Sequence, residues 1–210
     1  VLRVRGAGRR IESRWIWRRL TFRLEGGERL GLSGPSGAGK TLLLRALAAL
    51  DPLDEGEIEF DGRGPEAWGL PEYRALVTYL PQEATLAEGT VRTNLEAPFS
   101  FRAHEGKDLD LGKAEELLAC MGRSSTFLQK EVRDLSGGER QIAALVRVLL
   151  LGPRILLLDE PAASMDEELA SRAETAVLDW IQGAGEARAL IWTSHRPDQL
   201  DRVSERRLEL

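Results

Sequence analysis
Gly34-Pro35-Ser36-Gly37-Ala38-Gly39-Lys40-Thr41 follows Arg29-Leu30-Gly31-Leu32-Ser33 and leads into a run, Thr41 to Leu50, that is apolar on nearly every side. The octet fits G-x-x-x-x-G-K-[ST], and its flanks predict a strand entering it and a buried helix leaving it. That context gives the motif a mechanism. Glycines let backbone N–H groups curl around phosphate oxygens with no Cβ in the way. The helix adds its positive dipole end. Lys40 is placed to reach β- and γ-phosphates, and the Thr41 hydroxyl to bind Mg²⁺. A Gly-rich turn with an exposed lysine would leave the match at every fixed position unexplained.

Upstream, Leu20, Phe22 and Leu24 alternate with Thr21, Arg23 and Glu25, the period of a half-buried strand, and Gly26-Gly27 turns the chain. The segment from Val1 to Leu32 reads as short strands. Downstream, Asp51-Pro52 is expected to end the helix over 41–50. Gly56 to Phe60 and Ala75 to Leu80 read as strands. Charged and small residues then dominate from Glu88 to Val148, with helical spacing in Lys113 to Met121 and Glu139 to Leu151. Ile155-Leu156-Leu157-Leu158 is the uninterrupted apolar run of a fully buried parallel strand. Glu167 to Gln182 predicts a helix and Ala189 to Thr193 a last core strand. Strands alternating with helices imply an α/β fold, a parallel sheet covered on both faces, with a mostly helical lobe inserted.

The 210 residues are 42% hydrophobic and 30% charged, long enough for one large domain and too apolar for a disordered chain. No apolar run approaches the roughly 20 residues that cross a bilayer, and the Arg-rich stretch from Val1 to Arg19 does not read as a charged-then-apolar signal peptide. One cysteine rules out a disulfide framework, and with 2 His leaves little for structural zinc. A cytosolic protein is expected. The net charge of −5 and pI near 5.3 argue against a general nucleic-acid binder.

Two further motifs carry chemistry. Asp159-Glu160 closes the buried strand, where ligands of parallel sheets bind. Asp159 suits Mg²⁺ and Glu160 a base that polarises water; read alone, Asp-Glu-Pro also suits a helix start. Leu135-Ser136-Gly137-Gly138-Glu139-Arg140-Gln141 opens a helix with serine at the cap, a small anion-binding start.

Together, the phosphate loop, Gln82 in Tyr79-Leu80-Pro81-Gln82, Leu-Ser-Gly-Gly-Glu-Arg-Gln, the buried strand with Asp-Glu, and His195 in Thr193-Ser194-His195 resemble ATP-binding cassette ATPases over essentially the whole chain. The resemblance implies a phosphate-loop NTPase core of RecA-like type with an N-terminal antiparallel β subdomain and an inserted α-helical subdomain. It implies one domain over 1–210, with 1–88 and 149–210 as core and β subdomain and 89–148 as the helical lobe. It also implies two copies docked head to tail around two ATP molecules. Gly34, Pro35, Ser36, Gly37, Ala38, Gly39, Lys40, Thr41 and Leu42 of one copy would face Ser136, Gly137 and Gly138 of the other. Gln82 would touch Mg²⁺ and the water, joining Thr41 and Asp159 at the metal. Glu160 matches the catalytic glutamate, Asp166 the aspartate that communicates across the dimer, and His195 the histidine on the γ-phosphate.

The sequence departs from the family pattern in three places. Leu42 stands where a second hydroxyl usually reaches the α-phosphate. Ile11 aligns with the aromatic that stacks on adenine, leaving Trp15 or Trp17 to stack, or an aliphatic contact to suffice; core or rim packing is the equal alternative for both tryptophans. Ala163 replaces a common serine. Too little chain separates Gln82 from Ser136 for a long coiled coil. The resemblance therefore implies the nucleotide-binding subunit of a transporter, on the inner face of the cell membrane through a separate transmembrane permease subunit. A soluble cassette regulating a protein or nucleic-acid assembly is the alternative. Thr85 to Leu95 is similar to the corresponding segment of exporter-like cassettes. Asn94-Leu95-Glu96-Ala97-Pro98-Phe99 with Arg102 looks like the ATPase subunit of small exporters proposed to expel iron. Phe99 and Phe101 are either part of the groove for the permease or lobe core.

Overall fold
The computed structural model describes residues 2–183 and 187–210. In chain order, strands β1 (Leu2–Ile11), β2 (Arg14–Leu24) and β3 (Arg29–Ser33) precede helix α1 (Lys40–Leu47) and β4 (Glu55–Phe60). Helices α2 (Pro65–Trp68) and α3 (Leu70–Leu76) and strand β5 (Val77–Leu80) come next, then α4 (Val91–Glu96), α5 (Leu111–Cys120) and α6 (Gly137–Leu151). The chain finishes with β6 (Ile155–Asp159), α7 (Glu167–Gln182), β7 (Ala189–Thr193), α8 (Pro197–Val203) and β8 (Arg206–Glu209). Two compact units result. The first holds residues up to 79, 154–159 and the segment from 187 onward; the second holds 80–153 and 160–183.

The first unit contains two sheets. A five-stranded sheet has the order β5-β6-β7-β3-β8, with β6, β7, β3 and β8 paired in parallel. All five residues of β6 and of β7 are buried, as strands covered on both faces require. Burial of each such Leu or Ile contributes about 1.5–3 kcal/mol. A three-stranded antiparallel sheet has the order β2-β1-β4. Its strands β1 and β2 are long, 10 and 11 residues, where the sequence suggested short ones. The cause is irregular pairing: register shifts between Val4 and Ala7 and between Ala7 and Arg9 interrupt the period-2 signal. On the exposed face Arg5 pairs with Glu57 and Glu59, and Arg18 with Glu55.

The α1 end and the β5 start differ from the sequence reading, and further elements are new to it. α1 ends at Leu47, because Ala49 turns left-handed at φ 52° and the Arg45 guanidinium closes on Asp51 at 2.7 and 2.9 Å. Ala75 and Leu76 belong to α3, started by Pro71 in its first turn, so the strand begins only at Val77. α8 and β8 were not foreseen; β8 adds an edge strand beside β3.

The second unit is built on helices and contains residues 89–148. Gln141 and Arg147 on α6 donate to the Pro81 and Thr85 carbonyls, at 3.2 and 3.1 Å, on either side of Gln82. Trp180 on α7 donates to the Leu149 carbonyl at 3.2 Å. Asn94 is buried and ties its loop: Oδ1 accepts from Ala87 N–H at 2.8 Å, and Nδ2 donates to the Ala87 and Thr90 carbonyls at 3.0 and 2.9 Å. Phe99 is half-buried, with its ring 6.3 Å from that of His104, whereas Phe101 is 62% exposed and is not core.

Candidate functional site
The loop Gly34 to Gly39 leaves β3 and enters α1, whose N-terminal cap is Gly39 at φ 91°. A Cβ there would lie 2.9 Å from the Trp17 indole nitrogen, so glycine is required by space as well as by conformation. Trp17 is buried, packed with Ile16 against this turn, and its Nε1 donates to the Gly39 carbonyl at 3.4 Å. Of the two readings open for Trp17, packing holds: its ring is core. Trp15 is half-buried, with the Arg18 and Arg10 guanidinium carbons 4.5 and 5.5 Å from its ring centre. Ile11 is exposed.

Lys40 is only 6% exposed, and its ammonium donates to the carbonyls of Gly34 and Pro35 at 2.9 and 3.2 Å. The loop thus holds its own cation in place at the helix start. Beside it the Thr41 hydroxyl donates to Asp159 Oδ2 at 2.7 Å. Asp159 is buried at the end of β6 and is gripped from the strands on both sides. The Tyr79 hydroxyl on β5 donates to Oδ2 at 2.9 Å, and Thr193, its register partner on β7, donates to Oδ1 at 3.0 Å. Burial, and then the charge of Asp159, push the Tyr79 phenol above its ordinary value, so it remains a donor. Sequence reasoning missed both Tyr79 and Thr193. The only signal available was their place beside residues already singled out, Gln82 and His195. A hydroxyl and a single carboxylate are hard oxygen donors, the set that Mg²⁺ uses when substrate phosphates supply further ligands. The residues present fit that ion. His195 lies exposed, two residues beyond β7.

In the second unit Ser136 caps α6 reciprocally. Its Oγ accepts from Glu139 N–H at 3.2 Å, and Glu139 Oε2 accepts from Ser136 N–H at 3.0 Å. Lys130 donates to Glu139 at 2.8 Å, and this bond, then the Ser136 N–H, hold the carboxyl below its usual range. Ser136 and Gly137 are exposed. A Cβ on Gly138 would lie 3.0 Å from the Ser164 carbonyl, so the loop after Glu160 packs on the α6 start. Asp166 caps α7, accepting from Leu169 N–H at 2.8 Å. Glu160 adopts a left-handed backbone at φ 48°, and its carbonyl accepts from Ala163 N–H at 3.0 Å. Gln82 is exposed.

The sequence profile described as "ABC transporter" matches residues 17–163. The chain belongs to that family. It is an ATP-binding cassette ATPase and the ATP-binding type of subunit in transporters. The tungstate uptake system ATP-binding protein of Peptoclostridium acidaminophilum is 34% identical over 186 residues, covering 89% of this chain and 82% of that protein. The probable iron export ATP-binding protein of Escherichia coli K12 is 30% identical over 190 residues, covering 90% and 82%. Among solved structures, a dimeric cassette in a post-hydrolysis state, bound to ADP and Pi, superposes with a TM-score of 0.84 at 21% identity, over 100% of this cassette and 94% of that chain. Together these establish the phosphate-loop fold with its antiparallel and helical parts. Among the described residues no helix is long and apolar enough to cross a membrane.

Proposed function
We propose that this cassette hydrolyses MgATP between two copies of itself and thereby moves a separate transmembrane permease subunit. The observation that carries the reading is the buried Lys40, fixed at the start of α1 beside a Thr41 hydroxyl already bonded to Asp159. Backbone N–H groups of the loop from Gly34 to Leu42, Pro35 excepted, and the Lys40 ammonium bind the phosphates. Leu42 contributes main chain only. Thr41, Asp159 and Gln82 would hold Mg²⁺, which neutralises charge on the phosphoryl oxygens. Glu160 accepts a proton from water as the water oxygen bonds to the γ-phosphorus and the bond to ADP breaks. His195 steadies the γ-phosphate. Ser136, Gly137 and Gly138 of the second copy complete the site, and Asp166 lies on the seam.

The cargo is chosen by the permease. The iron-export relative supports metal export, and the tungstate relative, of similar standing, takes its cargo inward. Purification of tagged chain from native membranes should bring down a polytopic membrane protein. Lys40→Ala tests the nucleotide site directly. It removes a charged donor, each such bond being worth about 1.5–3 kcal/mol, so MgATP affinity should fall at least tenfold. Wild-type affinity in a fluorescent-nucleotide titration would refute the assignment.

A further inference from the structure
Asp159 needs more than the phosphate loop to keep its orientation. Thr41 and Tyr79 both donate to Oδ2, at 2.7 and 2.9 Å, while Thr193 donates to Oδ1 at 3.0 Å. These donors come from three elements. Thr193 lies across from Asp159 in the β6–β7 register, Tyr79 comes from β5 on the other side, and Thr41 from the first turn of α1. Thr41 is the one donor whose oxygen is also read as a metal ligand. Its bond to Asp159 is therefore subject to whatever happens at the nucleotide. Tyr79 is not in the loop, and its phenol reaches the same oxygen without contributing to it.

We infer that Tyr79 is a positioning residue for the metal site: its hydroxyl fixes Asp159 Oδ2 independently of Thr41, so that the carboxylate is preset before nucleotide arrives. The inference rests on the ATPase reading above. It gives a role to a side chain that the sequence analysis quoted only as a neighbour of Gln82, three positions before it. It also gives β5 a second task besides filling the sheet edge. An outer donor of this kind fixes the direction of a ligand's lone pairs, and its loss typically costs ten- to a hundredfold in metal affinity. Phenylalanine at position 79 keeps the ring, and with it the packing, and deletes only the hydroxyl.

The test compares Tyr79→Phe with wild type in two measurements. The first is the affinity for a fluorescent ATP analogue in EDTA and in excess Mg²⁺. The second is the Mn²⁺ dissociation constant in the presence of a non-hydrolysable ATP analogue, followed by the paramagnetic resonance signal of free Mn²⁺. The metal-free affinity should be unchanged, which also shows that the variant folds. The gain on adding Mg²⁺ should shrink, and the Mn²⁺ constant should rise, about tenfold. Thr41→Val provides the comparison, since it should lose the metal-dependent gain more completely. An unchanged Mn²⁺ constant in Tyr79→Phe overturns the inference. So does an equal loss with and without metal, which is what a packing role gives. If wild type gains nothing from Mg²⁺ the ATPase reading itself falls, a result separate from either of these.

Discussion

Residues that looked alike in sequence separate once their surroundings are known. Trp15 and Trp17 were equal candidates for the base. Trp17 lies under the phosphate loop in the core, while Trp15 carries two guanidinium groups. Trp15→Ala should therefore leave ATP affinity unchanged, whereas Trp17→Ala should cost about 3–5 kcal/mol of stability by opening a cavity beside Gly39. Nucleotide titration and urea unfolding separate the two, and a loss of affinity in Trp15→Ala would return that ring to the base. Lys40, Thr41 and Asp159 were legible as candidates because the motifs that single them out are runs of neighbours in the sequence. Tyr79 and Thr193 were not, because a carboxylate gripped from two strands becomes visible only when the sheet order is known.

At the scale of elements, β6 and α7 could be read nearly to the residue. An apolar run closed by Asp-Glu-Pro has few other solutions, and Asp166 announces a cap. α3 was hidden because Ala75-Leu76-Val77 continues into a strand, and only the Gly69-Leu70-Pro71 start marks the helix. The start of α6 is held by a reciprocal cap, so Ser136→Ala should cost about 1 kcal/mol in urea unfolding, quite apart from nucleotide. Its pH dependence follows from Glu139, whose carboxyl is held below its ordinary value of 4.5 by Lys130 and the Ser136 N–H. A depressed carboxyl stabilises the fold above pH 4.5, and that stabilisation is lost as the pH falls through the lowered value. Unfolding titrations should show this acid-side loss in wild type and a smaller one in Glu139→Gln.

For the molecule as a whole, the order of motifs made the fold legible, and the proposed pairing of two copies is tested at the same scale. Glu160→Gln keeps size and hydrogen bonding but removes the proposed base, so turnover should fall about 10²–10⁴-fold while ATP binding survives. Uncleaved ATP then keeps two copies joined, and size-exclusion chromatography should show a dimer with MgATP and not with MgADP. Turnover at the wild-type rate would remove Glu160 from the chemistry. Slow turnover in a persistent monomer would mean that closure needs the permease.

The left-handed backbone of Glu160 sets the stability of the fold against the chemistry proposed for its side chain. Such a conformation costs a residue with a Cβ roughly 1–2 kcal/mol, and glycine or asparagine would sit there with less strain. Glu160→Gly should relieve that strain and delete the proposed base in one step, so the unfolding free energy in urea should rise while turnover falls.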